Sequence, residues 1–350
     1  MVFFQVMKIK ILFVKTSALG DIVQTLPILH YLAQRQKHVL IDWVIEKEAE
    51  DIIQGRPLID RTLVIETRKW RKNFFRYGVE ILRTIREIRK EKYTVLFDFQ
   101  GNFKSSLICL FARADHKVGF GKRSVREKWN LLFTNTHIEP FSKGTSLRWN
   151  LSLVQTFFQD EAPWEFSAPC TKVRLKAREL PVFILSLGSR WKNKQLSYAI
   201  ALGFVKRLAQ MSLLFLVHGN EGEKEQIEQL ARECNSGNIT VLPRLSLKEL
   251  QEKMEETDGV ISVDSLLLHL AASLGVPTFG IFGPSLGTFY GSEGPLHGHI
   301  QGSCPYQEVF ERRCKRLRTC PTGACIKDLS LEALWDAFQL WDRFTRKLEA

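Results

Sequence analysis

The 350-residue sequence lacks several features that would define its class at once. No apolar run approaches the roughly 18 residues that a membrane-spanning helix requires. No tract is of low complexity, and no period of roughly 20 to 50 residues repeats, which argues against a repeat architecture. No Gly-x-Gly-x-x-Gly follows the first predicted strand, so a nicotinamide-dependent dehydrogenase is not indicated. Helix-turn-helix, zinc-finger and RNA-binding signatures are also missing, and nucleic acid is not an expected partner.

The bulk composition is that of a folded globular protein with two domains. Hydrophobic residues make up 45% of the chain, and a length near 350 residues suits two cores of roughly 150 residues each. The first six residues (MVFFQV) are too short and lack the basic residues of a signal peptide. These properties predict a cytoplasmic protein.

The net charge of +12 predicts an acidic partner. Between Thr67 and Tyr93, Lys and Arg far outnumber Glu, and aromatic residues are interleaved with the basic ones in residues 68–77. A solvated helix face explains residues 80–92. A basic and aromatic loop explains 68–77 better, because such a loop suits an anionic, amphiphilic ligand at a membrane surface, with aromatic rings such as Trp70 against acyl chains.

Four of the seven cysteines fall within 22 residues near the end of the chain: Cys304, Cys314, Cys320 and Cys325. Paired C-x2-C zinc spacing is absent, and disulfides are rare in cytosolic proteins. A metal site and simple packing both remain open for this cluster.

Strand and helix signals alternate along the chain, which predicts an α/β fold. In the first half, residues 8–15, 38–46 and 94–99 are predicted as strands, and 22–36, 47–55 and 78–91 as helices. A polar, proline-marked break follows near residues 159–169. Four further strands are predicted at 182–188, 213–219, 259–264 and 277–284. Apolar residues at helical spacing from Leu331 to Leu348 predict a final amphipathic helix, which either packs on the protein or lies on a membrane.

The most informative segment is residues 15–27 (KTSALGDIVQTLP), directly after the first predicted strand. Ligands of open α/β sheets bind at the carboxyl ends of the strands, so Asp21 is expected to face a ligand. The alternative is that Asp21 merely caps the following helix, a position in which Asp is common.

Four segments, in order, resemble the motifs of the bacterial ADP-heptose:lipopolysaccharide heptosyltransferases. They are residues 15–27, 98–105 (DFQGNFKS), 188–194 (GSRWKNK) and 262–272 (SVDSLLLHLAA). Residues 41–46 (IDWVIE) and 68–75 (RKWRKNFF) are similar to the heptosyltransferase I branch, which adds the first heptose to the Kdo sugar of the inner core.

The resemblance implies a GT-B fold, in which two Rossmann-like domains face each other across a cleft. The expected division is an acceptor-binding domain at 1–162, a linker at 163–180, a nucleotide-sugar-binding domain at 181–328, and a helix at 329–350 that packs back toward the N-terminal domain. It further implies inverting transfer of heptose from ADP-heptose to Kdo-lipid A, with Asp21 as general base, by an enzyme located peripherally at the inner membrane.

The donor and acceptor residues follow from the same motifs. Ser265 is predicted to open a helix at the end of a strand, where free N–H groups bind phosphate, with His269 on the same helical face and Lys194 adding positive charge. This arrangement, with no Asp-x-Asp motif, predicts that no metal or cofactor is needed. The donor-binding candidates are Ser189, Lys194, Glu223, Leu245, Asp264, Ser265, Leu266 and His269. The acceptor-binding candidates are Arg68, Lys69, Arg71, Lys72, Lys104 and Arg126.

The sequence leaves several alternatives open. Asp264 could cap a helix, and His269 could be a buried core histidine. Leu266 stands where the family usually has glycine, and its side chain would crowd the donor. A transferase of another nucleotide sugar, a transferase acting on a later inner-core acceptor, and a non-catalytic homologue are therefore the competing functions.

Overall fold

A computed structural model describes residues 8–73, 75–140, 144–164 and 179–349. The chain divides into two compact units, Met1–Trp164 and Glu165–Ala350, here called the N-terminal and C-terminal units. The predicted domain boundary lay at residues 162–181. Residues 165–178, which make up most of the predicted linker and include Cys170, lie outside the described part of the chain, as does Phe74.

The N-terminal unit contains a six-stranded parallel sheet with the order β3-β2-β1-β4-β5-β6. Its strands are β1 (Ile9–Val14), β2 (Val39–Glu46), β3 (Ile59–Ile65), β4 (Lys92–Asp98), β5 (Arg113–Phe120) and β6 (Thr136–Ile138). This is the strand order of a Rossmann sheet: β2 and β3 are added on one side of β1, and β4, β5 and β6 on the other. The strand order therefore reverses between β1 and β4. The central strands are almost wholly buried, as their continuous apolar sequences predict.

Seven α-helices accompany this sheet in the described residues: α1 (Leu19–Val23), α2 (Pro27–Arg35), α3 (Glu50–Ile53), α4 (Thr67–Lys72), α5 (Gly78–Arg89), α6 (Phe103–Phe111) and α7 (Ser146–Phe158). Short 3₁₀ turns occupy Lys47–Ala49 and Lys128–Leu132. One core cluster joins Leu12 and Leu96 of the sheet to Ile88 of α5 and Ile108 of α6. Helices α5 and α6 therefore pack side by side over β1 and β4.

The C-terminal unit repeats the same architecture. Its sheet is also parallel, with the order β12-β11-β10-β7-β8-β9. The strands are β7 (Val182–Ser186), β8 (Leu213–Leu216), β9 (Ile239–Val241), β10 (Gly259–Val263), β11 (Thr278–Phe282) and β12 (His297–Gln301). Counted from β7, this is again the Rossmann order, and the strand order reverses between β7 and β10.

The described helices of this unit are α8 (Tyr198–Ala209), α9 (Glu221–Cys234), α10 (Leu247–Glu255), α11 (Leu266–Ser273), α12 (Gly287–Tyr290), α13 (Ala324–Lys327) and α14 (Leu331–Glu349). A 3₁₀ turn covers Lys192–Lys194. The final amphipathic helix predicted from the sequence is confirmed as α14. Its Leu334, Phe338 and Trp341 are buried in the core of the C-terminal unit, where the ring of Phe338 contacts Phe183 and Phe279 edge-on.

Candidate active site

Several of the sequence-predicted residues lie at the points where the strand order of each sheet reverses. In the N-terminal unit, the loop carrying Asp21 follows β1, and residues 98–105 follow the neighbouring β4. In the C-terminal unit, Ser189 and Lys194 follow β7, and Asp264 and Ser265 follow the neighbouring β10. Ligands of Rossmann sheets bind at these reversal points, beyond the carboxyl ends of the strands. Each unit therefore has its candidate residues at the position where a ligand is expected.

Asp21 lies in the first turn of α1 and is partly exposed. Its Oδ2 accepts a hydrogen bond from the backbone N–H of Ala18 at 3.4 Å, and its carbonyl oxygen accepts one from the Thr25 hydroxyl at 2.8 Å. The carboxylate thus makes a long capping contact while remaining accessible to solvent. Capping and catalysis are compatible at this position, because the contact uses one of the two carboxylate oxygens.

The loop between β1 and α1 is fixed by Gln100, which lies in the second motif but was not predicted as a site residue. The Oε1 of Gln100 accepts hydrogen bonds from the backbone N–H groups of Thr16 and Ser17, at 3.2 and 3.3 Å. Gln100 is itself buried, and its N–H donates to Asp98. The second motif therefore orients the loop that leads into the helical turn of Asp21.

Lys15 is a second residue that the sequence reasoning missed. Its side chain is buried, and its ammonium group donates to the carbonyl oxygen of Phe99 at 2.8 Å. Burial lowers the pKa of Lys15, while the negative charges of Asp21 and Asp98 act in the opposite direction. No local signal marks Lys15, because a lysine that follows a buried strand is more often exposed than buried.

Two predicted acceptor residues lie beside this loop. Lys104 on α6 forms an ion pair with the buried Glu46 at the end of β2, with an Nζ–Oε1 distance of 2.6 Å. Glu46 also accepts hydrogen bonds from the N–H and hydroxyl groups of Thr67, the first residue of α4. The side chain of Arg126 is exposed, and its charge acts on Lys15. The backbone nitrogen of Arg126 lies close to Gly101, where an added Cβ would approach it to 3.6 Å. Gly101 has a φ of +61°, a conformation that residues with a side chain rarely adopt.

Residues 67–72 form the short helix α4, and the expectation of a loop there is wrong. The helix places Arg71 and Lys72 on the surface, while Arg68 pairs with Glu48 and Lys69 with Glu66 and Glu80. Trp70 packs against the core of the unit, and its indole N–H donates to Glu80 at 2.8 Å. Trp70 is thus part of the fold, and the expectation that it rests against acyl chains is not supported by its position.

In the C-terminal unit, Lys194, Asp264 and His269 form one buried charged group. The Lys194 ammonium forms an ion pair with Asp264 Oδ2, and His269 Nε2 lies 3.7 Å from Asp264 Oδ1. Burial alone raises the pKa of Asp264, but hydrogen bonding from His269 and the charge of Lys194 hold that pKa well below its usual range. Asp264 is therefore a carboxylate, and it fixes the lysine and the histidine side by side.

The helix cap beside this group is Ser265, as predicted, and not Asp264. The Ser265 hydroxyl accepts from the N–H of Leu267 at 3.3 Å and lies 2.8 Å from the Ser262 hydroxyl. Helix α11 begins at Leu266, whose side chain is partly exposed. The other N–H groups of the first helical turn and the positive end of the helix dipole therefore lie next to Lys194 and His269.

The remaining donor candidates are spread along the same edge of the sheet. Ser189 accepts a long hydrogen bond of 3.5 Å from the N–H of Trp191. The Glu223 carboxylate lies directly over Gly188, where a Cβ would approach it to 2.6 Å, and accepts from the N–H of Gly219. Leu245 precedes α10, beyond β9, two strands away from β7. Glu223 therefore lies against Gly188, the neighbour of Ser189, whereas Leu245 follows a strand two places away from β7.

The four clustered cysteines line a single cavity of about 180 Å³. The cavity wall includes Asn193, whose side-chain amide donates to the carbonyl oxygens of Leu317 and Cys320 at 3.0 and 2.8 Å. The cysteine segment thus supports the loop that carries Lys194. Within the described residues, no group of three or more His, Cys, Asp or Glu side chains is arranged to hold a metal ion.

No helix in the described ranges is long and apolar enough to cross a membrane.

Two Rossmann-like units in one chain are the architecture of the GT-B fold that the sequence predicted. Residues 81–318 match glycosyltransferase family 9 (heptosyltransferase). The chain belongs to this family and is a glycosyltransferase.

Individual relatives agree with the assignment. The chain is 27% identical to lipopolysaccharide heptosyltransferase 1 of Pseudomonas aeruginosa over 319 residues, which cover 87% of each protein. The structure of E. coli heptosyltransferase WaaC with ADP is similar with a TM-score of 0.77 and 21% identity, covering 95% of this chain and 100% of that one. WaaC with ADP-2-deoxy-2-fluoro heptose is similar with a TM-score of 0.74 and 23% identity, covering 84% and 94%.

Proposed function

We propose that this glycosyltransferase moves heptose from ADP-heptose to a Kdo residue of the lipopolysaccharide inner core, with Kdo-lipid A as the acceptor. The choice of donor and acceptor is supported by the similarity to lipopolysaccharide heptosyltransferase 1 and by the WaaC structures solved with ADP and with an ADP-heptose analogue. We further propose that the enzyme works in the cytoplasm at the inner face of the membrane, where such a glycolipid is available.

The observation that carries the chemistry is the accessible Asp21 carboxylate at the β1–β4 reversal point, held there by Gln100 and Ala18. In the proposed reaction, Asp21 removes the proton from the acceptor hydroxyl as that oxygen attacks the anomeric carbon. The bond from the anomeric carbon to the diphosphate breaks in the same displacement, so the configuration inverts. A single carboxylate suffices, because no covalent sugar–enzyme intermediate forms.

The C-terminal unit is proposed to stabilise the departing ADP. Lys194 and His269 supply polar groups on one side, and the N–H groups at the start of α11 supply hydrogen-bond donors on the other. Asp264 orients the lysine and histidine without contacting the diphosphate. Lys104, Arg126, Arg71 and Lys72 are proposed to bind the carboxylate and phosphate groups of the acceptor.

The test is an assay of the purified full chain with lipid A carrying Kdo and a panel of nucleotide sugars. The panel contains both ADP-heptose stereoisomers, ADP-glucose and a UDP-hexose, and the product is read by mass spectrometry and by NMR of the new anomeric centre. We expect incorporation of one heptose from ADP-heptose, with inversion. Incorporation of a hexose instead would favour the alternative that Leu266 indicates, a changed donor, and retention of configuration would contradict the Asp21 mechanism.

A further inference from the structure

The exposed apolar side chains of the N-terminal unit are concentrated on one layer. Helix α5, helix α6 and the turn Lys128–Leu132 lie side by side on one face of the sheet. Among the described residues of this unit, every large apolar side chain with at least 40% of its surface exposed belongs to this layer or to the residues that lead into it: Phe75, Val79, Leu82, Phe103, Leu107, Leu110, Trp129 and Leu132. Isolated exposed apolar residues are ordinary, but a group of this size on one layer indicates an interaction site.

The spacing of the five residues on α5 and α6 places them on the outward face of each helix. Phe103, Leu107 and Leu110 recur at i, i+4 and i+7 on α6, while Ile108 and Cys109 point into the core. Val79 and Leu82 are three residues apart on α5, opposite the buried Ile88. Helix α6 is therefore apolar on both its inner and its outer face, as expected of a helix that is covered on both sides.

The charge between these residues is positive. Arg83 and Arg86 follow Val79 and Leu82 at four-residue spacing, so they extend the same face of α5. The acidic residues on and next to the helix have other partners. Glu80 pairs with Lys69, Glu87 lies 3.9 Å from Arg61, and Glu91, just after the helix, lies 3.6 Å from Lys10. Within the described ranges, Arg83 and Arg86 have no carboxylate partner.

We propose that this α5–α6 surface, made of the eight apolar residues above with Arg83 and Arg86, docks the enzyme on an anionic lipid bilayer. Tryptophan, phenylalanine and leucine side chains enter the boundary between headgroups and acyl chains, while arginines bind the phosphates of anionic lipids. A second copy of the chain fits less well, because a two-fold contact would bring identical positive faces together.

The surface borders the proposed acceptor site, and this step of the inference depends on the proposed function. Phe103 is adjacent to Lys104 in sequence, and its backbone N–H donates to Glu127, the neighbour of Arg126, at 2.8 Å. The apolar stripe of α6 therefore begins beside the two cations proposed to bind the acceptor. A glycolipid whose acyl chains remain in the bilayer would present its sugar and phosphate groups at this place.

The direct test is co-sedimentation of the full chain with vesicles of phosphatidylethanolamine and phosphatidylglycerol, compared with phosphatidylcholine vesicles. The variants are Leu107→Gln/Leu110→Gln and Arg83→Gln/Arg86→Gln, all at exposed positions. The matched control is Leu340→Gln/Phe344→Gln, which changes exposed apolar residues on α14 of the C-terminal unit. We expect the parent and the control to bind the anionic vesicles, and each surface variant to bind roughly tenfold more weakly. Equal binding by parent and surface variants, or no binding by the parent, would overturn the proposal.

Two further measurements distinguish lipid docking from a contact between copies of the chain and from a defect in catalysis. With the acceptor embedded in vesicles, the surface variants should show a raised KM, whereas with a deacylated, water-soluble acceptor their rates should match the parent. Loss of a parent dimer in the variants, read by light scattering, would instead identify the surface as a contact between copies and overturn lipid docking. If vesicle binding is as expected but no nucleotide sugar of the panel is transferred to Kdo-lipid A, the proposed function is wrong and the docking surface is still supported.

Discussion

At the scale of single residues, Asp21 carries the sharpest prediction. Asp21→Asn keeps an acceptor oxygen for the N–H of Ala18, so the loop and the fold should be retained, but the amide cannot accept a proton. We expect turnover to fall by about 10²–10⁴, the usual contribution of a positioned base, with little change in ADP binding. Steady-state kinetics and calorimetric titration with ADP measure the two effects.

Asp51→Asn is the matched control, since Asp51 is an exposed carboxylate on α3. Its turnover should equal that of the parent. If Asp21→Asn also turned over like the parent, Asp21 would be a helix-capping residue and the base would have to be sought elsewhere.

Lys15 gives a prediction about stability and pH. Burial lowers its pKa in the folded chain, whereas the unfolded chain keeps a value near 10.5. Between the lowered pKa and about pH 10.5, the unfolded chain binds more protons at this residue, so this residue makes the free energy of unfolding rise with pH across that window. Lys15→Met lacks this contribution.

We therefore expect the stability of the parent, relative to Lys15→Met, to increase from neutral pH to about pH 10. Urea unfolding of both proteins at several pH values measures the difference. A difference that stays constant with pH would mean that Lys15 is not titrating in a buried environment.

At the scale of structural elements, the group formed by β10, α11 and the turn Lys192–Lys194 depends on a buried ion pair. Asp264→Asn leaves the Lys194 ammonium buried without its counter-charge, and removal of one partner of such a pair typically costs about 3–5 kcal/mol. Denaturant unfolding of the C-terminal unit measures the loss. Replacing both residues, as Lys194→Met/Asp264→Leu, should recover much of it, because no unpaired charge remains.

The double variant also helps to interpret donor binding. Lys194→Ala leaves the Asp264 carboxylate buried without its counter-charge, so a loss of ADP binding in that variant could come from a loss of stability. The double variant has no unpaired charge, and its ADP binding therefore reports the loss of the lysine itself. Were Asp264→Asn as stable as the parent, the pair would not be buried as the structure has it. The stabilising effect of Asp264 is fully present above about pH 3.8, and it declines as the pH falls below that value, because the pKa is lowered in the folded state.

The elements that the sequence predicted best are the apolar strands at the centre of each sheet. The strand predicted at 38–46 is Val39–Glu46, and the one predicted at 259–264 is Gly259–Val263. Continuous apolar runs are decisive there, because central parallel strands are buried on both faces. Strands β5 (RADHKVGF) and β12 (HGHIQ) were missed, since their charged and histidine residues are partly exposed and interrupt the pattern.

Helix boundaries and the site itself were only partly predictable. The helix predicted at 22–36 is divided into α1, which ends at Val23, and α2, which begins at Pro27. Proline has no backbone N–H to donate within a helix, so it is found at a helix start. The positions of Asp21, Lys194, Ser265 and His269 followed from motifs at strand ends. The roles of Gln100 and Lys15 did not, because a buried side chain that orients a loop in another part of the sequence has no local sequence pattern.

At the scale of the whole molecule, the proposed chemistry makes a prediction about metal ions. The proposed groups for the departing ADP are the side chains of Lys194 and His269 and the start of α11, and none of them needs a divalent ion. We expect transfer from ADP-heptose to proceed at the same rate in excess EDTA and in added Mg²⁺. Abolition by EDTA with recovery on addition of a divalent ion would contradict this mechanism.

The last prediction concerns the division of labour between the two units. Arg71 and Lys72 are exposed at the end of α4 in the N-terminal unit, and in the described part of the chain neither has a carboxylate partner. Arg71→Ala/Lys72→Ala should raise the KM for Kdo-lipid A, and the effect should shrink as salt increases, because exposed charges are screened. The affinity for ADP-heptose should stay nearly constant, whereas His269→Ala should weaken it.

Arg343→Ala/Lys347→Ala, which removes two exposed basic residues from α14, is the control for a general loss of positive charge. It should leave both substrates unaffected, since α14 packs its apolar face on the C-terminal unit and carries none of the proposed binding groups. Loss of ADP-heptose affinity in the Arg71/Lys72 variant, with the acceptor KM unchanged, would place these residues on the donor side. In that case the proposed assignment of acceptor binding to the N-terminal unit would rest on Lys104 and Arg126 alone, and their substitution would become the deciding experiment.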